Sequence, residues 1–185
     1  MKKLIAITSL ILFSLSASAT EVTAWKIIPT QSKIDFKVSQ DGSNIVGYFK
    51  KFDGKINFDK NQLAKSNVAI DIDMSSIVVS LAEAGGTVQS PEWLSAKAFP
   101  KATFVADKFS SKGKSFRADG ILTIKGKSVP TSLEFSFEEP SANKSRATGK
   151  VIIKRSAFGV GNSDVKKANG VQDEVEVSFV VNAEK

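Results

Sequence analysis

Residues 33–38 read KIDFKV, and residues 174–179, near the far end of the chain, read EVEVSF. In both stretches each apolar side chain is followed by a charged or polar one. Successive side chains of a β-strand point to opposite faces of its sheet, so each stretch predicts a strand with one buried and one solvated face. The two stretches therefore indicate a sheet protein.

The same alternation recurs along the chain. It is clear at 67–73 and 128–137, and shorter candidates lie at 25–28, 45–49, 55–58, 103–107, 116–125 and 146–154. Turn signals rich in glycine separate these segments at 41–43, 53–54, 112–114 and Gly126. About ten strands joined by short turns predict an all-β antiparallel sandwich or closed barrel.

Helical signals are confined to residues 75–99. The stretch 81–84 reads LAEA and stops at Gly85 and Gly86, whereas Ser90 offers an N-cap with Pro91 at the first helical position. We therefore expect one or two short helices to interrupt the sheet there.

Composition limits the possible chemistry. The chain has 185 residues, no His and no Cys. Catalysis by Ser-His-Asp or Cys-His groups, zinc sites built on thiolate or imidazole, and haem held by His or Cys are therefore excluded, and no metal or cofactor is expected. The net charge of +7 is modest and does not indicate a nucleic-acid partner.

The first 19 residues have the three parts of a secretory signal. Two lysines precede an apolar stretch from Leu4 to Leu15, and an Ala17-Ser18-Ala19 sequence closes the segment. The apolar run is shorter than the roughly 20 residues that cross a bilayer, so we expect cleavage after Ala19 and no stable membrane insertion. Residues 20–185 are then a single domain, expected in a bacterial periplasm.

Small residues on the inward face suggest internal space. The strand parity places Ala118, Gly120, Ala147 and Gly149 inside the sheet. A barrel of about eight strands can hold one small ligand where such residues leave room, although large phenylalanines from facing strands could fill the gap. The chain has 13 Phe and one Tyr, a composition that suits a hydrocarbon better than a polar metabolite.

Six stretches resemble the YceI family of bacterial periplasmic proteins. They are QSKIDFKV at 31–38, GYFKKFDGKINFD at 47–59, SPEW at 90–93 followed by FPKATF at 99–104, DGILTIKGKSVP at 119–130, and RSAFG at 155–159. The resemblance implies an extended antiparallel lipocalin-like β-barrel whose cavity binds polyisoprenoids or other long-chain amphiphiles.

From this resemblance and the inward parity we expect a set of ligand-binding residues. Trp93, Leu94 and Phe99 would cover an opening, and Arg155 would contact a phosphate head group through its guanidinium. The full set is Phe36, Val38, Tyr48, Phe52, Trp93, Leu94, Phe99, Phe104, Phe116, Leu122, Phe135, Gly149, Arg155 and Phe158.

The leading hypothesis is a non-enzymatic periplasmic carrier for a long-chain isoprenoid, quinone or other lipid amphiphile, acting as a monomer or homodimer. One alternative is an interaction or structural module with a filled barrel that binds a periplasmic protein. Another is an enzyme that uses Asp35 or Glu92 as general acid or base, although the sequence offers no pair of carboxylates for it. Internal volume distinguishes the first two.

Overall fold

The computed structural model describes residues 22–81, 84–162, 164 and 166–185. The predicted signal segment 1–19 and its cleavage point lie outside these residues. The strands of the described chain are β1 (Ala24–Ile27), β2 (Lys33–Gln40), β3 (Ser43–Phe49), β4 (Phe52–Asn57), β5 (Asn67–Asp73), β6 (Ile77–Val79), β7 (Lys101–Lys112), β8 (Ser115–Ile124), β9 (Lys127–Ser141), β10 (Lys144–Lys154) and β11 (Val171–Glu184).

Helical structure in the described residues is brief. One α-helix, α1 (Ala84–Gln89), accompanies 3-10 turns at Pro29–Gln31, Leu63–Lys65, Met74–Ser76 and Arg155–Phe158. None of the helices in this part of the chain combines the length and apolar character needed to span a membrane.

Eight strands form a closed antiparallel barrel. Their order around the ring is β1-β4-β5-β7-β8-β9-β10-β11, and the ring closes where Ile27 of β1 pairs with Ala183 of β11. The long β11 also pairs with β2 over Val171–Val180, and β3 and β6 continue the sheet from β2. The prediction of an all-β lipocalin-like fold with few helices is confirmed.

An irregularity in β7 changes which side chains point inward. The register between β7 and β8 shifts between Ala106 and Lys108, which leaves one extra residue on β7. A bulge of this kind exchanges the faces beyond it. Phe104, before the bulge, and Phe109, after it, both face the interior.

Two local predictions are wrong. Asp53 and Gly54 form no turn but lie within β4, in register with Asp71 and Ile70 of β5. The helix runs through Gly85 and Gly86 and ends before Ser90, where a turn replaces the predicted second helix. Val88 of α1 packs against the apolar core, so tertiary contact outweighs the low helix propensity of glycine.

Candidate functional site

The barrel encloses a cavity of about 300 Å³. This volume is at the small end of the range of ligand pockets, roughly 300–1,000 Å³. Ser145 and Arg155 are the polar residues among its described lining, and every other lining side chain is apolar. A cavity of this composition favours a hydrocarbon chain over a polar ligand.

Most of the predicted site residues line this cavity. Their side chains come from β2, β7, β8, β9, the loop at 90–99 and the 3-10 turn Arg155–Phe158. They are Phe36, Val38, Trp93, Leu94, Phe104, Leu122, Phe135, Arg155 and Phe158. Contact of these residues with a ligand stays a prediction.

Two predicted residues lie on the outside. Tyr48 is 43% exposed. Ile45 and Phe49 of the same strand point inward, and successive side chains of a strand point to opposite faces, so Tyr48 next to Phe49 points outward. Phe99 is 37% exposed and its ring lies against Gly126 in the turn between β8 and β9. They do not line the cavity, and their contact with a ligand stays a prediction.

Three others are placed in the barrel wall or its packed end. Phe52 is buried against Ile27 and Ile34. Phe116 belongs to an aromatic cluster described below. Gly149 contributes no lining, because a Cβ there would lie 2.4 Å from the Glu134 carbonyl oxygen and 2.6 Å from the Phe179 ring. Its glycine permits close approach of strands and side chains, which corrects the expectation that it leaves room for a ligand.

The cavity also uses phenylalanines that the sequence reasoning did not select: Phe49, Phe58, Phe109, Phe137 and Phe179. Period-two parity within 174–179 identifies Phe179 as inward, and the same rule within 128–137 identifies Phe137. Phe109 requires knowledge of the β7 bulge, which alternation alone does not supply.

One end of the barrel is filled by aromatic rings. Phe58 is 3% exposed and lies at the centre of this aromatic end, which we define as Trp25, Phe58, Phe109, Phe116, Phe135 and Phe137. The ring centroids of Phe58 and Phe137 are 4.8 Å apart in an edge-to-face arrangement. Trp25 Nε1 donates a hydrogen bond of 2.9 Å to the Phe58 carbonyl oxygen. The rings of this end pack against one another, and four of them, Phe58, Phe109, Phe135 and Phe137, also line the cavity.

The opposite end is covered by two loops, which we call the loop end: residues 90–99 and the described residues between 159 and 170. Arg155 is 4% exposed beneath them and donates to four backbone carbonyls. Its Nε bonds to Gln172 O at 3.0 Å, its Nη1 to Val160 O at 2.9 Å and Asn162 O at 2.6 Å, and its Nη2 to Val171 O at 2.8 Å. Four of the five guanidinium N–H groups are thus occupied.

Arg155 also connects the two loops. Its guanidinium carbon lies 5.6 Å from the centroid of the Trp93 ring, within range of a cation–π interaction. Burial lowers the pKa of Arg155, and the neighbouring Asp173 carboxylate partly offsets this effect. A lipid head group that contacts Arg155, as predicted, would have to bind a guanidinium that already donates hydrogen bonds to the backbone.

Lys125 makes a second connection between the loops. Its ammonium donates to Glu92 O at 3.0 Å and to Gly159 O at 2.8 Å, while Gly161 N donates to Glu92 O at 2.9 Å. Burial lowers the pKa of Lys125, and the positive charge of Lys127 lowers it further. These contacts hold Trp93 and Leu94 over the cavity.

Comparison with known proteins agrees with this architecture. The sequence pattern of the YceI-like domain matches residues 25–183. Protein YceI of Salmonella arizonae is 30% identical over 129 residues, which cover 65% of this chain and 68% of that protein. The crystal structure of BcnA from Burkholderia cenocepacia superimposes with a TM-score of 0.79 at 30% identity, covering 85% of this chain and 99% of BcnA.

A more distant structure has the same fold. A polyisoprenoid binding domain from Saccharophagus degradans superimposes with a TM-score of 0.70 at 15% identity, covering 86% of this chain and 97% of that domain. The match of the domain pattern across nearly all of the described residues, together with the barrel, establishes that the chain belongs to the YceI-like family.

Proposed function

We propose that this protein is a non-enzymatic carrier that holds the hydrocarbon chain of an isoprenoid, quinone or other lipid amphiphile in its barrel, and that it acts in the periplasm. The observation that carries the proposal is the apolar cavity between the aromatic end and the loop end. The export-like segment at 1–19 supports the location.

The energetics suit such a ligand. Burying a methylene group contributes about 0.8 kcal/mol, so a chain of several carbons binds without a polar anchor. The polyisoprenoid binding of the Saccharophagus domain, which shares the fold, agrees with this chemistry.

The filled-barrel alternative is less well supported. In a filled barrel, aromatic rings would have to occupy the interior from end to end. The rings around Phe58 pack at one end only, and a cavity of about 300 Å³ remains in the barrel. The interior is therefore partly filled and partly open.

Native mass spectrometry tests the proposal. Delipidated protein incubated with a bacterial membrane extract should retain a long-chain lipid as an added mass, because the cavity removes the chain from water. Repeated recovery of protein without any added mass would contradict the proposal.

A pair of variants controls for surface binding. Ala147 lines the cavity, whereas Thr148 is exposed on the outer face of the same strand. Ala147→Leu should obstruct the chain and lower lipid retention at least ten-fold, while Thr148→Leu adds a similar volume outside and should leave it unchanged. Overpacking costs about 1–3 kcal/mol, so melting temperatures are measured for both variants.

A further inference from the structure

The barrel wall is not paired along its whole height between β9 and β10. Their register runs from Ser141↔Lys144 to Glu134↔Lys150 and ends there. On its other side β9 is paired with β8 as far as Lys127↔Ile124, and β10 with β11 as far as Lys154↔Glu174. Residues 127–133 of β9 and 151–154 of β10 form a seam, here called the β9–β10 seam, where registered pairing is absent in the described chain.

The sequence gives a physical reason for the seam. Pro130 lies in the middle of the unpaired part of β9 and stands opposite Ile121 of β8. Proline has no amide hydrogen, so a strand accommodates it where its nitrogen faces away from the paired neighbour. In β9 that direction is toward β10, and the ladder cannot continue through this position.

Side chains, and not a backbone ladder, close the seam toward the cavity. Leu133, Val151 and Ile153 flank it and line the cavity. Phe158, on the 3-10 turn that follows β10, is 1% exposed and packs with Val129 and Ile153. Side chains can rotate on a fast timescale, whereas opening a paired wall requires breaking several hydrogen bonds.

On the outer surface at the seam, apolar side chains lie among polar ones such as Ser128 and Lys154. Ile152 on β10 is 61% exposed, and Pro130 is exposed on β9. Ile121 and Val105 add apolar side chains on β8 and β7, and both are among the large exposed hydrophobic residues of the described chain. A hydrocarbon crossing the seam would thus contact apolar groups both inside and outside the barrel.

From these observations we propose that the hydrocarbon chain of the ligand enters the cavity sideways, through the β9–β10 seam. This inference rests on the proposed carrier function. It requires Phe158 and the flanking aliphatic side chains to move, while the aromatic end and the paired walls stay closed.

Cross-linking the seam tests the route. Continuing the register from Glu134↔Lys150 places Ser132 opposite Ile152. The chain has no native cysteine, so Ser132→Cys/Ile152→Cys introduces one defined pair. A disulfide, or a short bis-maleimide linker where the cysteines do not meet, then bridges the seam.

A matched control bridges a wall that is already paired. Ser136 and Thr148 face each other on the outer surface of the paired part of β9 and β10. Ser136→Cys/Thr148→Cys therefore adds a cross-link between the same two strands without closing the seam. Stopped-flow fluorescence with dansylundecanoic acid as the probe measures uptake in the cross-linked and uncross-linked forms of both variants.

The bridged seam should slow probe uptake at least ten-fold, and reduction of the disulfide should restore it, while the control cross-link leaves uptake unchanged. Protein loaded before cross-linking should release the probe more slowly by the same factor. Pro130→Val, which supplies the missing amide, should also slow uptake.

Equal uptake rates for the bridged seam and its uncross-linked form would overturn the lateral route while leaving the carrier function intact. Absence of probe and lipid binding in every form, including the uncross-linked variants, would overturn the carrier function itself and the route with it. Circular dichroism verifies that each variant is folded.

Discussion

At the aromatic end of the barrel, four rings pack around Phe58, whereas at the loop end two loops are held over the cavity by Arg155 and Lys125. The first end is stabilised by burial of apolar surface, and the second by hydrogen bonds from two buried or half-buried cations to backbone carbonyls.

This difference means that one end of the barrel stabilises the fold and the other can open. Rings that pack closely against one another resist local opening. A loop held by polar contacts can be released when a few of these contacts break, and such regions are drawn from the less stable part of a fold. The aromatic end therefore anchors the barrel, while ligand-dependent changes belong to the loop end.

The largest effect is expected from removing the centre of the aromatic end. Phe58→Ala should lower the free energy of unfolding by about 3–5 kcal/mol, because four neighbouring rings lose their common contact. Urea denaturation measures this change. The exposed Phe99 supplies the control, since Phe99→Ala should cost well under about 1 kcal/mol. Similar losses for both variants would show that the aromatic end has no special role in stability.

Removal of the Arg155 guanidinium should have the next largest effect. Arg155→Gln deprives four carbonyl oxygens of their donor, and we expect a loss of about 2–4 kcal/mol in unfolding free energy. Binding of farnesyl phosphate and of farnesol should weaken by the same factor, because four of the five N–H groups of Arg155 already bond to backbone carbonyls. A loss of affinity for farnesyl phosphate that exceeds the loss for farnesol by more than ten-fold would instead assign Arg155 to head-group recognition.

The two tryptophans report on the two ends. Trp93 lines the cavity, whereas Trp25 is buried among the rings of the aromatic end. In a Trp25→Phe background, lipid addition should shift the emission of Trp93 by several nanometres. In a Trp93→Phe background, Trp25 emission should stay constant. The reverse pattern would place the ligand at the wrong end of the barrel.

The smallest effect is expected on the stability of the protein at low pH, through the carboxylate of Asp173. Burial raises the pKa of Asp173, but hydrogen bonds from Ser156 N and Oγ and the charges of Arg155 and Lys154 outweigh it and leave the pKa below its usual value. The pKa of an Asp carboxyl in the unfolded chain is about 3.9. Because the pKa of Asp173 is lower in the folded protein, its ionised carboxylate stabilises the fold above about pH 3.9, and this stability is lost as the pH falls toward the pKa of the folded state.

Stability should therefore decline below about pH 4, and Asp173→Asn should reduce the acid-dependent part of the decline. Asp107→Asn, at an exposed carboxylate, serves as the control. Denaturation curves between about pH 2 and pH 6 compare the two variants. Identical pH dependence in wild type and Asp173→Asn would remove Asp173 from the contacts that stabilise the loop end.

Sequence reasoning succeeded where the information is local. Alternation within 33–38 and 174–179 identifies strands because a strand face repeats every two residues. Tyr48 points out of the barrel. The short segment 45–49 has no clear alternation of apolar and polar residues from which this direction could be predicted.

The role of Arg155 lay beyond that reasoning. Its acceptors lie in the loop after Phe158 and at the start of β11, and their positions depend on the path of the whole barrel, so no local pattern reveals them. Pro130 was visible in the sequence near a turn signal, but its effect on the wall depends on which strand becomes its neighbour.

The most direct test of the central claim measures affinity against chain length. Saturated fatty acids of increasing length are titrated as competitors of dansylundecanoic acid. Each added methylene should strengthen binding by about 0.8 kcal/mol, or roughly four-fold, until the chain fills the cavity and the affinity levels off. In Ala147→Leu the plateau should begin at a shorter chain. An affinity that does not change with chain length would contradict binding in the barrel interior.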